Sequence, residues 1–191
     1  MPFARTQKFG ILEYDAQAEI EFPLGLPGFE HLSRFVLVEQ SALHPIAFLQ
    51  SLQVPDLCFL TVPVALLEAT YQLTVAPEEL RLLDLDPGRQ PEIGGEVLCL
   101  AILAAAENCP ATATLLAPIV VSLSNRRAVQ SVRYDQRYSH QHVLGETHPD
   151  TERLDTPRDV RQGDVPLTAT LADAAPEKPA EPALEKESPC S

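Results

Sequence analysis

The sequence predicts an all-β protein, mainly strands with one or two short helices. The expected architecture is a small β-barrel-like domain over residues 1–146, followed by a disordered tail over 147–191. Three observations carry this. Short β-rich or apolar runs recur at close spacing with turn signals between them, the pattern of a barrel or sandwich. Helix signals are sparse. Every Phe and Tyr precedes His148, whereas seven prolines follow it.

The first well-marked segment is FPLGLPGFE, residues 22–30, a turn that is apolar where turns are usually polar. Pro27-Gly28 suits a type II turn, because Pro presets φ near −65° and Gly accepts the positive φ that follows. Pro23 removes an amide donor and Gly25 adds a freely rotating position. Of its large side chains, Phe22 and Leu24 are expected to plug a core. Leu26 and Phe29, which flank the tight turn, are expected to stay available for contact with another protein.

Strand-like runs then follow in order: 34–39 (RFVLVE), 46–49, 57–62, 69–75 (ATYQLTV), 96–103, 117–123 (APIVVSL) and 128–134 (AVQSVRY). The run at 69–75 alternates cleanly, with Tyr71, Leu73 and Val75 on one face and Thr70, Gln72 and Thr74 on the other. Turn signals stand in the gaps at His44-Pro45, Asp86-Pro87-Gly88 and Gly94-Gly95. The best helix is APEELRLLDL. Pro77 suits its first position, Glu78 and Glu79 favour the positive end of the helix dipole, and Leu80 and Leu83 share a face. A domain of this size buries roughly two-thirds of its unfolded surface, enough for one core.

From Pro149 onward ten acidic residues stand against five basic ones. The closing stretch, DAAPEKPAEPALEKESPCS, has no periodicity and too little apolar area to offset chain entropy, which predicts disorder. Only residues 165–171 are mildly apolar, and no role is assigned to them.

A formal net charge of −13 argues against direct nucleic-acid binding and against an anionic membrane surface. No run approaches the ~18 apolar residues of a membrane span. No signal peptide is visible, so the expected location is cytoplasmic. Cys58, Cys99, Cys109 and Cys190 lack zinc-site spacing, and Cys58 and Cys99 lie in apolar runs as buried, inert thiols. No phosphate loop, nucleophile elbow, HExxH or CxxC is present, which points to no catalytic residues, no metal and no cofactor. The rival reading is a small-ligand- or metal-binding barrel. On a strand, His140 and His142 share a face and can both ligate a metal, with Asp135 or Glu146 nearby. Arg126, Arg127, Arg133 and Arg137, interleaved with Tyr134 and Tyr138, fit intramolecular ion pairs or an acidic partner better than RNA.

Four segments in order carry a family resemblance: FPLGLPGFE, FLQSLQVPDLCFLTV (48–62), TATLLAPIVVSL (112–123) and RRAVQSVRYDQRYSHQHVL (126–144). Together they resemble the FliW family of flagellar assembly factors and span nearly the whole domain. Members usually carry Asn where this chain has Thr114 and Ser122, and the acidic tail extends beyond the family's usual end. The resemblance implies a barrel-like domain without enzymatic activity and two protein partners. These are flagellin and CsrA, the RNA-binding repressor of flagellin translation. It also points to partner contact at Leu26, Phe29, Leu116, Pro118, Ile119, Gln130 and Tyr134. Bound beside an RNA site, so acidic a protein is expected to lower CsrA's RNA affinity without occupying that site.

Overall fold

The structure is a computed structural model that describes residues 1–106, 109–133 and 137–144, and the backbone of 168–170. It is mostly β with two short helices. The strands are β1 (Phe3–Thr6), β2 (Gly10–Glu13), β3 (Glu19–Glu21), β4 (Arg34–Glu39), β5 (Ala47–Ser51), β6 (Cys58–Pro63), β7 (Val97–Ala104), β8 (Thr112–Ser122), β9 (Ala128–Gln130), β10 (His142–Val143) and β11 (Thr168–Thr170). The helices are α1 (Val64–Leu67) and α2 (Pro77–Leu82).

β1 and β2 form a separate hairpin, and the other nine strands form one sheet. Its path runs β10-β8-β7-β6-β5-β4-β11, with β9 paired to β8 and β3 to β4. From β3 to β9 the sheet curls until its ends nearly meet. There Glu21 N–H donates to the Arg126 carbonyl at 3.0 Å, and Glu21 and Arg127 form an isolated parallel bridge. The barrel is therefore closed along a single short contact.

Strand parity divides the core. Ile20, Phe35, Leu37, Leu49, Leu100, Ile119, Val121 and Ala128 turn inward into one buried cluster. The outer face is covered twice. Val36, Val38 and Phe48 lie under the β1–β2 hairpin with Ala4 and Leu12. Val62, Val97, Cys99, Leu115, Val120 and Val129 lie under α1, α2 and residues 71–75. This double cover explains why Phe35–Val38 of β4 and Ala47–Leu49 of β5 read as unbroken apolar runs: stretches buried on both faces have no polar side.

The expected strand at 69–75 forms no ladder. Its alternation is nevertheless real in burial, with Tyr71, Leu73 and Val75 buried and Gln72 and Thr74 exposed. The segment lies extended on the outside of the sheet, and side chains satisfy its backbone in place of a neighbouring strand. Gln90 accepts from Val75 N–H at 2.7 Å and donates to the Val75 carbonyl at 3.0 Å. Tyr138 Oη accepts from Gln72 N–H, Arg133 donates to the Gln72 carbonyl, and Ser131 donates to the Thr74 carbonyl. Buried backbone groups need partners, and these need not come from a strand.

α2 is the expected helix. Pro77 opens it, and the Glu79 carboxylate accepts from Ala76 N–H at 3.1 Å. Leu80 and Leu83 are buried. Its C-terminal carbonyls are met by the β8–β9 turn, where Asn125 Nδ2 donates to the Leu83 carbonyl at 3.0 Å. The β1–β2 hairpin and β3 had no distinct signal among the predicted runs. Residues 147–167 and 171–191, where the sequence predicts disorder, lie outside the described residues. The three residues described within that tail, 168–170, are paired parallel with β4.

Two predictions follow from these contacts. Gln90→Ala removes both bonds to Val75, and urea unfolding should show a loss of about 1–2 kcal/mol, with α2 exchanging its amides faster. Glu96 is held at about 2, first by the Arg89 side chain and then by Glu92 N–H, against an ordinary 4.5. Its contribution to stability is thus present above pH 4.5 and lost as pH falls through about 2. Carboxyl NMR titration should show that midpoint, and Arg89→Ala should move it upward.

Candidate functional site

The turn at 22–30 caps the inward cluster. Phe22 and Leu26 are buried within it, and Phe22 meets Phe35 edge-on at 5.1 Å between centroids. Phe22 N–H donates to the Ser33 carbonyl, Gly25 N–H to the Phe22 carbonyl and Phe29 N–H to the Leu26 carbonyl, so the segment is two successive tight turns. The second is the expected Pro27-Gly28 turn, with Gly28 at φ +84°. The Glu30 carboxylate accepts from Gly28 N–H at 2.8 Å, and that bond lowers its pKa. Gly25 has a stricter role. At φ +68°, a Cβ there would lie 2.5 Å from Glu30 Cα.

Two side-chain expectations for this turn are reversed. Leu26 is 2% exposed and belongs to the core, while Leu24 is 63% exposed and faces solvent. The positive φ at Gly25 flips the chain between them, which no periodicity signals. Phe29 is half-buried and packs edge-on against Phe59 at 5.7 Å.

The loop between β5 and β6 lies beside this turn. Ser51 Oγ accepts from the amides of Gln53 and Val54, and Gln50 Nε2 donates to the carbonyls of Ser51 and Leu57, each at 3.0 Å. Gln53 Oε1 then accepts from Ser33 and Arg34 N–H at 2.8 and 2.9 Å, tying the loop to the turn. Phe29, Val54, Leu57 and Phe59, with Leu98 and Ile102 of β7, each pack half-buried against the inward cluster. Apolar side chains partly exposed in one group are what a protein-binding surface requires. Of these six, only Phe29 was expected from the sequence. The others sit in ordinary apolar runs and carry no local signal of exposure.

The LLAP stretch of β8 is a second built feature. Leu100 pairs with Ile119 and Ile102 with Thr114, so residues 115–118 arch opposite the single residue Ala101. All four carbonyls of the arch are satisfied. Tyr71 Oη donates to Leu115, Arg133 N–H to Leu116, Gln130 Nε2 to Ala117 and Ser131 N–H to Pro118, at 2.8 to 3.1 Å. Pro118 costs the arch no donor that a ladder would need. Leu116, Pro118, Ile119 and Gln130 are thus brought together, but Pro118 and Ile119 are buried, and Gln130 works inside the fold. Leu116 alone of the four carries a large apolar side chain that remains half-exposed. Tyr134 lies outside the described residues.

The arginine cluster is largely engaged within the molecule. Arg127 pairs with Glu21 at 3.4 Å and Asp84 at 3.3 Å. Arg133 is buried, with its guanidinium 5.1 Å from the Tyr138 ring centroid and 5.9 Å from that of Tyr71. Arg137 donates to Gln72 Oε1. Burial pushes the Tyr71 phenol up to about 12 and the Cys99 thiol likewise to about 12. Cys58 is half-buried and also raised by burial, whereas Cys109 is exposed.

Thr114 Oγ1 donates to the His140 carbonyl at 3.2 Å, and Ser122 Oγ lies 3.1 Å from Ser124 Oγ in the β8–β9 turn. The two positions that depart from the family pattern therefore make hydrogen bonds within the molecule, one of them across 26 residues. Among the described residues no three His, Cys, Asp or Glu side chains are placed to hold a metal near His140 and His142. Asp135 and Glu146 lie outside them. No helix among the described residues is long and apolar enough to cross a membrane.

Comparison with known proteins agrees with this geometry. The sequence profile of the family described as FliW protein matches residues 4–144. The "Flagellar assembly factor FliW" of Heliobacterium modesticaldum is 32% identical over 149 residues, 78% of this chain and 94% of that protein. Its Bacillus subtilis counterpart is 31% identical over 141 residues, 73% of this chain and 94% of that one. A crystal structure of the flagellar assembly factor FliW superposes with a TM-score of 0.64 at 27% identity, covering 75% of this chain and 96% of that chain.

The two turn glycines should separate in mutagenesis. Gly28→Ala meets nothing within 4 Å and should cost about 1–2 kcal/mol for its left-handed backbone alone. Gly25→Ala adds a clash with backbone and should cost more. Denaturant unfolding of both variants checks the order.

Proposed function

Because this chain belongs to the FliW family of flagellar assembly factors, we propose that it works in the cytoplasm without enzymatic activity, by binding flagellin and CsrA. The observation that supports flagellin binding is the half-buried apolar face of Phe29, Val54, Leu57, Phe59, Leu98 and Ile102. Flagellin's terminal segments, amphipathic and unfolded before assembly in this reading, need apolar anchors of this kind along a groove. An interface core draws its energy from a few buried aromatic and aliphatic contacts, and Phe59 and Leu98 are side chains of that kind.

CsrA is relieved by a different property. The chain carries a net charge of −13. Several of its arginines face its own carboxylates, rings and carbonyls. Docked beside an RNA site, such a surface sets negative potential within a Debye length, about 8 Å at physiological salt, of approaching phosphates. RNA affinity then falls without occlusion, and falls less as salt is raised.

The test separates the two partners. Leu98→Asp should weaken flagellin binding by at least tenfold in calorimetric titration, with the circular dichroism spectrum and CsrA binding unchanged. In filter binding, CsrA saturated with this protein should hold flagellin leader RNA less tightly than free CsrA. Unchanged flagellin affinity in Leu98→Asp, or equal RNA affinities, would overturn the corresponding half of the reading.

A further inference from the structure

Gln50 is a polar side chain in an apolar setting. It lies on β5 two residues from Phe48, so the two share the face covered by the β1–β2 hairpin, and it is fully buried. Its neighbours in register are Val36 of β4 and Cys58 of β6. Burying an amide costs free energy unless its donors are met. Here they are met from one stretch of chain. Nε2 lies 3.0 Å from the carbonyl oxygens of Ser51 and Leu57, 3.4 Å from that of Pro55 and 3.5 Å from that of Val54. The loop between β5 and β6 is thus wrapped, carbonyls inward, around one NH2 group.

That grip sits where three parts of the molecule meet. The Pro55 carbonyl also accepts from Gln7 N–H, in the turn between β1 and β2, at 2.8 Å. Gln53 holds Ser33 and Arg34 through its Oε1. Val54 and Leu57 pack against the inward cluster, on the opposite face of the sheet from Phe48. The Gln50 amide clasps both limbs of the loop, at Ser51 and at Leu57, from the hairpin side. The side chains that the loop carries emerge on the side of the apolar face.

We infer that Gln50 is a positioning residue for partner binding: through its NH2 group it fixes the loop that presents Val54 and Leu57 to flagellin. The inference rests on the reading of the apolar face as the flagellin-binding surface. Gln50 touches no partner, being buried, and acts only through the loop. A loop already held in its bound shape raises affinity, because its ordering entropy is lost before the partner arrives. A donor is what the position requires. An apolar side chain leaves the converging carbonyls without one, and an acceptor in place of Nε2 opposes them.

Gln50→Leu and Gln50→Glu, made in the full-length chain, test this beside Leu98→Asp and the intact protein. In calorimetric titration Gln50→Leu should bind flagellin about tenfold more weakly, with residues 53–57 exchanging their amide hydrogens faster and β4, β7 and β8 unchanged. Gln50→Glu exposes the need for a donor through pH. Buried among carbonyls, its carboxyl titrates above the ordinary range; the acid donates an O–H to the loop and the carboxylate repels it. Its affinity, taken relative to the intact chain at the same pH, should be largely regained at about pH 6 and fall about tenfold by about pH 9. Gln50→Leu should give a flat ratio over that range, as would a residue that only fills space. If Gln50→Glu does not fold, Gln50→Leu decides alone through affinity and exchange. Normal flagellin affinity in Gln50→Leu, or a flat ratio in a folded Gln50→Glu, overturns the inference. In that event the flagellin reading stands if Leu98→Asp still loses binding, and falls too if Leu98→Asp binds normally.

Discussion

The contact between Glu21 and the Arg126–Arg127 backbone holds the rest in place. One amide-to-carbonyl bond of 3.0 Å and one bridge join the two ends of a sheet that would otherwise be open. Such a bond is worth only about 1 kcal/mol by itself. Its leverage comes from position. Closing the curl gives the inward side chains of β3, β4, β7, β8 and β9 a common interior, and Phe22, the next residue after the seam, is carried straight into it. Arg127 reinforces the same point by reaching both Glu21 and Asp84, so the seam also ties down the end of α2.

Once the barrel is closed, its irregular parts become intelligible. A sheet curled this tightly cannot keep every strand in register, and β8 releases the mismatch as the four-residue arch at 115–118. The arch would strand four carbonyls; Tyr71 meets one of them, Gln130 of β9 another, and Ser131 and Arg133, just after β9, the remaining two. Tyr71, Arg133 and Tyr138 lock the same region from outside, with rings 4.4 Å apart at their centroids. Arg127, Arg133 and Arg137 are all used in such tasks within the molecule.

Much of this was legible in the residues. The strand runs other than 69–75, the turn chemistry of Pro27-Gly28 and the Pro77 helix start all rest on interactions within a few residues, and each gives rise to an element near its expected place. Arg127, Arg133 and Arg137 find partners inside the molecule, as so acidic a composition suggests. The misreadings share one cause. Residues 69–75 alternate because one face lies on the sheet, and alternation reports a half-covered surface whether or not a strand runs alongside. Leu24 and Leu26 exchange roles because Gly25 reverses the chain between them.

The candidate face shows the same limit more sharply. Phe59, Leu98 and Ile102 look like any core residue of an apolar run, and their chemistry alone does place them on the inward side of their strands. Whether an inward side chain is sealed or left half-open depends on how far the curl closes over it and where the neighbouring loop is pinned, here by Gln53 on Ser33 and Arg34. Those are contacts between segments about twenty residues apart. Local propensity and pattern therefore sufficed for the class and for most of the elements. Exposure of particular side chains was decided by long-range packing, because solvent access belongs to the assembled surface and to no single stretch of chain.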